Sequence, residues 1–330
     1  MSDPRDTVTL ITVGYRSWDY LRFLAFTGSR VAESGWKEWL LIDNTLEEAE
    51  AEMLARLPGA RVLPKGSAAD CLRRSRHSPG GHSQDYACSV NALYQQVTTE
   101  YTLLVDPDIA LLRGSWDRVL VDEIERNGYD AIGGPYNPYK WQKYAGYPSV
   151  IFLFIRTKLL QDTGFDFRSY FGNPIADRFQ YFLHRYQRIL NRYVPEVVRG
   201  RSRDTGWQLP RLFRSRRAAT LSFGVPFIRD VDEHFPGRLQ RVKPKHFFQR
   251  PGSGLFQAED LVAGVYDEFW HQDALFATHH GGSGGAGGWA SEKSRIWSSK
   301  VLDYLNVERS EFDDYLPGAP APGETGSMAR

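Results

Sequence analysis

Short apolar runs alternate with helical patterns over the first third of the chain. "TVTLITVGY" (7–15) is rich in β-branched residues and ends at Gly14-Tyr15, which predicts a strand. Residues 17–32 place Tyr20, Leu21, Leu24 and Phe26 at helical spacing behind Ser17, a candidate N-cap. "EWLLIDNT" (38–45) predicts a second strand ending at Asp43-Asn44, "LEEAEAEMLARL" (46–57) a helix closed by Pro58-Gly59, and "ARVLP" (60–64) a third strand. Residues 64–83 are rich in Gly, Ser, Pro, Arg and His and read as a loop, 84–97 as a helix, and "YTLLVD" (101–106) as a fourth strand. Strands alternating with helices predict an α/β fold with a parallel sheet, in which ligands sit at the carboxyl ends of strands. Asp43 and Asp106 fall at such ends.

Beyond residue 112 the pattern weakens. "SWDRVLVDEIER" (115–126) reads as a helix, "YDAIGGPY" (129–136) runs into a loop of Tyr, Pro and Trp, and "VIFLFIRTKLL" (150–160) is a strand entering a turn. Residues 176–217 mix helix with Arg-rich loop, and "ATLSFGVPFIRD" (219–230) suggests another strand. "ALFATHHGGSGGAGGWA" (274–290) is a strand followed by a glycine-rich loop, "EKSRIWSSKVLDYL" (292–305) a last helix, and the Pro/Gly-rich end an expected disordered tail. No repeat is visible.

Bulk numbers narrow the classes. The 330 residues are 42% hydrophobic and 25% charged, which suits a folded domain and excludes disorder for most of the chain. A net charge of +1 gives no case for nucleic acid as a partner. Charge is uneven, however: residues 178–217 hold eleven Arg against two acids, Glu196 and Asp204. That stretch suits a solvated helix face, an anionic acceptor such as a lipid-linked diphosphate, or peripheral contact with an anionic membrane surface. Two cysteines, Cys71 and Cys88, do not form a disulfide framework, and no Cys/His spacing resembles a zinc site. The N-terminus lacks a basic start followed by an apolar core, and "VIFLFI" is far too short to span a bilayer. The expectation is a cytoplasmic protein in a reducing compartment, at most at the inner face of the membrane, its oligomeric state open.

"TLLVDPDIALL" (102–112) carries the chemistry. An apolar run is interrupted by Asp106 and Asp108, and burying unpaired carboxylates there would cost several kcal/mol, roughly, or force protonation. Side chains two apart on extended backbone point the same way, so both acids can converge on one cation. Oxygen ligands at a strand end suit Mg²⁺ or Mn²⁺, with substrate phosphates completing the shell. Solvent-facing acids at a strand end are the plainer alternative.

The segment "GGHSQDYACSVNALYQQVTTEYTLLVDPDIALL" resembles the donor-site region of GT-A glycosyltransferases, above all the inverting enzymes of family 2. There a helix carrying an Asn leads into a strand ending in D-x-D. "VTLITVGYRSWDYLRFLAFTGSR" resembles that family's first strand and helix, and "LLIDNT" its acidic second-strand motif. The resemblance covers residues 7–112. It implies a GT-A fold, with a mostly parallel central sheet and helices on both faces. Four regions follow: a nucleotide-sugar-binding half (1–112), an acceptor and catalytic-base half (113–290), a C-terminal helix (291–315) and a tail (316–330).

Roles follow residue by residue. Gly14 and Tyr15 would lie where the base sits, and Asp43 would bond nucleobase or ribose. Asp106 would contact ribose or metal, and Asp108 would ligate a divalent cation bridging the diphosphate. His82 and Asn91 would touch the donor, or His82 would merely cap its helix. His279 and His280, entering the glycine-rich loop, are candidates for the metal or the diphosphate; alternation points one ring each way, so one serves. Family-2 enzymes carry an acidic base after the acceptor loop; Asp204 in "DTGWQLPRLFR" is the match, with helix capping as its rival role. It lacks the family's preceding Glu and has Arg203 instead.

The implied reaction is metal-dependent transfer of a hexosyl or deoxyhexosyl group from a nucleoside-diphosphate sugar to a hydroxyl on a glycan or lipid-linked acceptor, with inversion. Two alternatives stay open: a haloacid-dehalogenase-like phosphatase using the D-x-D, and a non-catalytic nucleotide-sugar or glycan-binding protein. Tyr139, Trp141, Tyr144 and Tyr147 offer a sugar-stacking platform or lid packing, and Asp232-Glu233-His234 forms a cluster without metal spacing.

Overall fold

The computed structural model describes residues 7–45, 48–75, 82–137, 143–144, 146–169, 204–226, 247–248, 254–257, 260–261, 265–281 and 288–316, with single positions at 175, 178, 179, 182 and 186. Its strands are β1 (Val8–Gly14), β2 (Glu38–Asp43), β3 (Ala60–Leu63), β4 (Tyr101–Val105), β5 (Ile109–Leu111), β6 (Ala131–Gly134), β7 (Phe152–Arg156), β8 (Thr220–Ser222), β9 (Val225–Pro226), β10 (Phe247–Phe248), β11 (Asp267–His271) and β12 (Ala274–His279). The helices are α1 (Trp18–Val31), α2 (Glu48–Leu54), α3 (Ala69–Ser75), α4 (His82–Tyr94), α5 (Trp116–Asn127), α6 (Thr157–Gln161), α7 (Leu209–Arg216), α8 (Glu292–Tyr304) and α9 (Arg309–Asp314).

A seven-stranded sheet in the order β3-β2-β1-β4-β7-β6-β8 forms the centre. Its strands run parallel except β7, which pairs antiparallel with β4 and β6. The chain moves outward from β1 to β3 and then crosses back to β4 on the other side of β1. Right-handed crossovers then set α1 and α2 on one face and α4 on the other. This is a doubly wound α/β arrangement, and its switch point lies between the carboxyl ends of β1 and β4. The strands are continuous apolar runs, as burial on both faces requires: Leu10, Ile11, Leu40, Leu41, Leu103 and Leu104 are all buried.

A second sheet, β11-β12-β5, completes the site. Immediately after Asp108 the chain enters β5, which pairs antiparallel with β12. The pair β9–β10 is a short parallel bridge. Helix α1 is apolar nearly all round because it lies between two cores. Leu21 and Leu24 pack with the main sheet, while Tyr20, Phe23 and Phe26 pack with Trp297, Phe312 and the second sheet. No helix among the described residues is long and apolar enough to cross a membrane.

Two expectations are corrected. Residues 65–75, expected as loop, form a 3₁₀ turn and α3. Cys71 of α3 is bonded to Cys88 of α4, with Cα atoms 5.5 Å apart, where the two cysteines were not expected to build a disulfide framework. The spacing gave no sign of it, because the pairing depends on α3 folding back onto α4.

Candidate metal and donor site

Asp106 and Asp108 do not share one strand. Pro107 and Asp108 form the turn between β4 and β5, and the turn, not strand alternation, brings the two carboxylates together. Asp106 is partly exposed at the end of β4, and its Oδ1 accepts a 2.7 Å hydrogen bond from the Tyr86 hydroxyl. Burial, and then the Asp106 charge, push the Tyr86 phenol well above its ordinary range, so it remains a donor. Asp108 is 2% exposed. Its partners come from β12: His279 opposes Ile109 in the β5–β12 ladder, and His280 N donates to the Asp108 carbonyl at 2.9 Å.

His279 Nε2 lies 3.3 Å from Asp108 Oδ1 and 3.9 Å from Asp106 Oδ2. Asp106, Asp108 and His279 offer ligand atoms that all lie within 4.8 Å of one another. Two carboxylates and an imidazole form a donor set that suits a divalent cation, with room for substrate oxygens. Behind the ring, Nδ1 is 2.8 Å from Asp267 Oδ2, and Asn137 Nδ2 donates to the other Asp267 oxygen at 2.7 Å. Asp267 therefore sets the ring so that Nε2 faces the acids. Burial alone would lower the His279 pKa, but the charge and hydrogen bond of Asp108, then those of Asp267, outweigh it and raise it to about 9.

The paired histidines separate as alternation requires. His280 turns toward the C-terminal helix: its Nε2 is 3.2 Å from Ser294 Oγ, and its ring packs against Tyr20 and Trp297. Burial lowers its pKa. Its Nδ1 stands 3.8 Å from Asp108 Oδ2, and it is outside the three-residue cluster.

The neighbouring strand end carries Gly14 opposite Asp43 in register. A Cβ on Gly14 would stand 3.3 Å from Ser17 Oγ and 3.4 Å from Asp43 Oδ1, so the bare backbone leaves this corner open. Asp43 is held by the backbone N–H and hydroxyl of Thr45. Tyr15 is 41% exposed at this edge. Arg16 adopts a left-handed conformation (φ 51°), pinned by its N–H to Thr45 Oγ1 at 3.1 Å.

Asp204 meets the first turn of α4. Its Oδ1 accepts from Ser83 Oγ at 2.6 Å and from Thr205 N at 2.9 Å, and its Oδ2 pairs with Lys143. Lys143 also lies 4.9 Å from the centre of the Tyr136 ring. The N-cap position of α7 is Gln208, so Asp204 does not cap that helix. Arg203, which precedes Asp204, lies outside the described residues.

Asn91 is a correction. Its amide donates to Asp166 Oδ1 at 2.8 Å and accepts from Phe167 N at 3.0 Å, so it clamps the loop after α6 instead of facing the acid pair. It lines a separate cavity of about 320 Å³, floored by the disulfide and bounded by Asp166 and Arg168. The expected aromatic platform is not formed by its described members. Tyr144 meets Tyr136 edge-on and Tyr147 stacks on Phe213. Tyr139, Trp141, the His82 side chain, the 232–234 cluster and most of 178–203 lie outside the described residues.

Sequence reading missed Tyr86, Asn137, Lys143 and Asp267: Tyr86 lies within the segment read as the donor region but was not singled out there, and the other three sit in no motif.

No family model matches the chain, and no curated protein sequence does. Solved structures do. Residues 1–349 of TarS from S. aureus are 16% identical over 49% of this chain and 50% of that one, with a TM-score of 0.34. The mannosyltransferase PcManGT from Pyrobaculum calidifontis, in complex with GDP-Man and Mn²⁺, is 14% identical over 50% of this chain and 49% of that one, with a TM-score of 0.35. Mouse xyloside xylosyltransferase 1 is 9% identical over 72% of this chain and 94% of that one, with a TM-score of 0.43. The chain thus spans about half the length of the first two structures.

Proposed function

We propose that this chain is a divalent-cation-dependent glycosyltransferase acting on a nucleoside-diphosphate sugar, with inversion at the anomeric carbon. One observation carries the reading: Asp106, Asp108 and His279 converge, ligand atoms within 4.8 Å, at the switch point of a doubly wound sheet. Two carboxylates with one imidazole favour Mn²⁺ over Mg²⁺, which strongly prefers oxygen and water. Bound there, the cation supplies Lewis-acid stabilisation of charge on the departing diphosphate.

The chain's own residues do the rest. Gly14 and Asp43 receive the nucleoside at the ends of β1 and β2, with Tyr15 at the rim. Tyr86 orients Asp106 through its hydroxyl. Asp204 accepts the proton of the acceptor hydroxyl, and Lys143 and Ser83 hold that carboxylate in place. The acceptor is a hydroxyl of a glycan or glycolipid.

The test is a thermal-shift screen of UDP, GDP, dTDP and CDP with and without Mn²⁺, followed by transfer or donor hydrolysis with the best ligand. Wild type should be stabilised by one diphosphate only with metal. Asp108→Ala should lose that metal-dependent shift and activity while keeping its fold. Near-wild-type turnover in this variant would remove the metal assignment. Trapping of an aspartyl-phosphate at Asp106 would instead favour a phosphatase.

A further inference from the structure

Helix α3 is attached to its neighbour by a covalent bond more than by packing. Among its described side chains Ala69, Asp70 and Arg73 are exposed, and Cys71 and Leu72 are only half-buried, so none is sealed in a core. A seven-residue helix without a buried face does not hold its place by helix propensity. The Cys71–Cys88 bond supplies the attachment. That bond also forms part of a cavity wall. Both cysteines line the volume of about 320 Å³ beside Asn91, together with Ser67, Ala92 and Gln95. Small-molecule sites begin at about this size. Cys71 is half-buried and Cys88 fully buried, so the sulfur of Cys71 is the one met from the cavity.

We infer that this cavity admits a low-molecular-weight thiol, which opens the bond by S-thiolation of Cys71 and so releases α3 from α4. The incoming thiolate forms a bond to Cys71 Sγ as the Cys71–Cys88 bond breaks. Cys88 leaves as a thiolate and takes a proton from solvent. One disulfide replaces another, so the thiol is the only co-reactant. Attack of the Cys88 thiolate on the mixed disulfide expels the thiol and restores the original bond.

The consequence falls on the donor corner, and here the inference rests on the function proposed above. The 3₁₀ turn that leads into α3 begins at Lys65, whose Nζ donates to the Asn44 carbonyl at 3.4 Å. Ser89, next to Cys88, donates to Asn44 Oδ1 at 3.0 Å. Asn44 follows Asp43 at the end of β2. The segment 65–75 is therefore tied to α4 by Cys71 and touches the strand end through Lys65. Opening the bond unties the first contact and loosens the second. Helix α4 itself stays in place, since Ala87, Val90 and Leu93 are fully buried.

The experiment exposes the full chain, under native conditions, to reduced glutathione, quenches with iodoacetamide and maps both cysteines by mass spectrometry. Cys71 should carry glutathione and Cys88 the alkyl group. Ala92→Leu, which narrows the cavity, should slow adduct formation roughly tenfold without moving the thermal midpoint. If that variant folds poorly, Ser67→Tyr at the exposed rim replaces it. The adduct should weaken Mn²⁺-dependent nucleoside-diphosphate binding about fivefold or more, and Cys71→Ser/Cys88→Ser should bind as weakly and ignore glutathione. A native chain that takes no adduct, at a thiol concentration that opens the bond of the urea-unfolded chain, overturns the site. So does an adduct on Cys88, or a rate unmoved by filling the cavity. Adduct formation with unchanged nucleotide binding overturns the link to the donor corner. The mass measurement needs no nucleotide, so a failure of the proposed function is read separately from a failure of the thiol site.

Discussion

At the scale of the residue, the site turns on how His279 is held. A one-residue register shift between Phe269 and Trp270 sets Asp267 opposite His279. Counting back from the His271–Ala274 pair at the hairpin turn without that bulge would set Asp267 opposite Thr278, on the other face. The acid pair was legible in the sequence because two carboxylates interrupt an apolar run. Asp267 was not, because a bulge decides which way it points. Replacing Asp267 by Ala should weaken Mn²⁺ binding by roughly 10- to 100-fold, with Asn restoring part of it, as read by calorimetry with the nucleotide present. The variant should keep the wild-type circular dichroism in chelator, which separates a lost positioning bond from a damaged fold. The protonation of His279 gives a second test. Its pKa rises from 6.5 to about 9 on folding, so the metal-free folded state holds the proton more tightly. That stabilisation is complete below about pH 6.5 and fades as pH rises to about 9. Denaturant melts in chelator should show stability falling across this window, with the slope flattened in His279→Gln. A metal must displace the same proton, so Mn²⁺ affinity should climb over the same range.

Among the elements, α4 is the one on which the site depends most. Along its length Ser83 holds Asp204, Tyr86 holds Asp106, and Ser89 donates to Asn44 beside Asp43 at 3.0 Å. Cys88 ties the same helix to α3. The β-α units that lead into the donor edge were readable because their apolar runs and helical spacing are local. The pairing of β5 with β12 was not, since strands 163 or more residues apart carry no mark of their partnership. The disulfide escaped for the same reason at shorter range. Its removal tests how far α4 needs the tie. The bridge spans a sequence separation of 17, for which loop-closure entropy predicts about 3 kcal/mol. Cys71→Ser/Cys88→Ser, or reduction with a thiol, should therefore lower the thermal midpoint by several degrees. Donor affinity should weaken with it, because two strand ends and Asp204 are held through one helix. A midpoint unchanged by reductant would show that packing alone fixes α4.

For the whole molecule, the question is what joins the two cores. Helix α1 is common to both, and the far core is sealed by Trp297 and Phe312, each fully buried against it. The metal cluster lies where β4 leaves the main sheet for the second sheet, so its ligands come from both sides: Asp106 from the first, His279 from the second. Two arrangements of forces are then possible. If the cation held the sheets together, chelation would unfold the chain. The apolar contacts argue otherwise, since truncating one fully buried Trp or Phe costs about 3–5 kcal/mol and several such side chains bridge the cores without any ion. The metal's share is instead linked to ligand: stabilisation grows with donor occupancy, about 2.7 kcal/mol at a hundredfold excess over Kd. Chelation alone should thus leave the thermal midpoint nearly unchanged, while abolishing the increment that a nucleoside diphosphate adds. Trp297→Ala should do the reverse, lowering the midpoint sharply with metal and nucleotide both present. A chelator that unfolds the wild type would show that the cation, and not α1 with its aromatic neighbours, holds the two sheets in place.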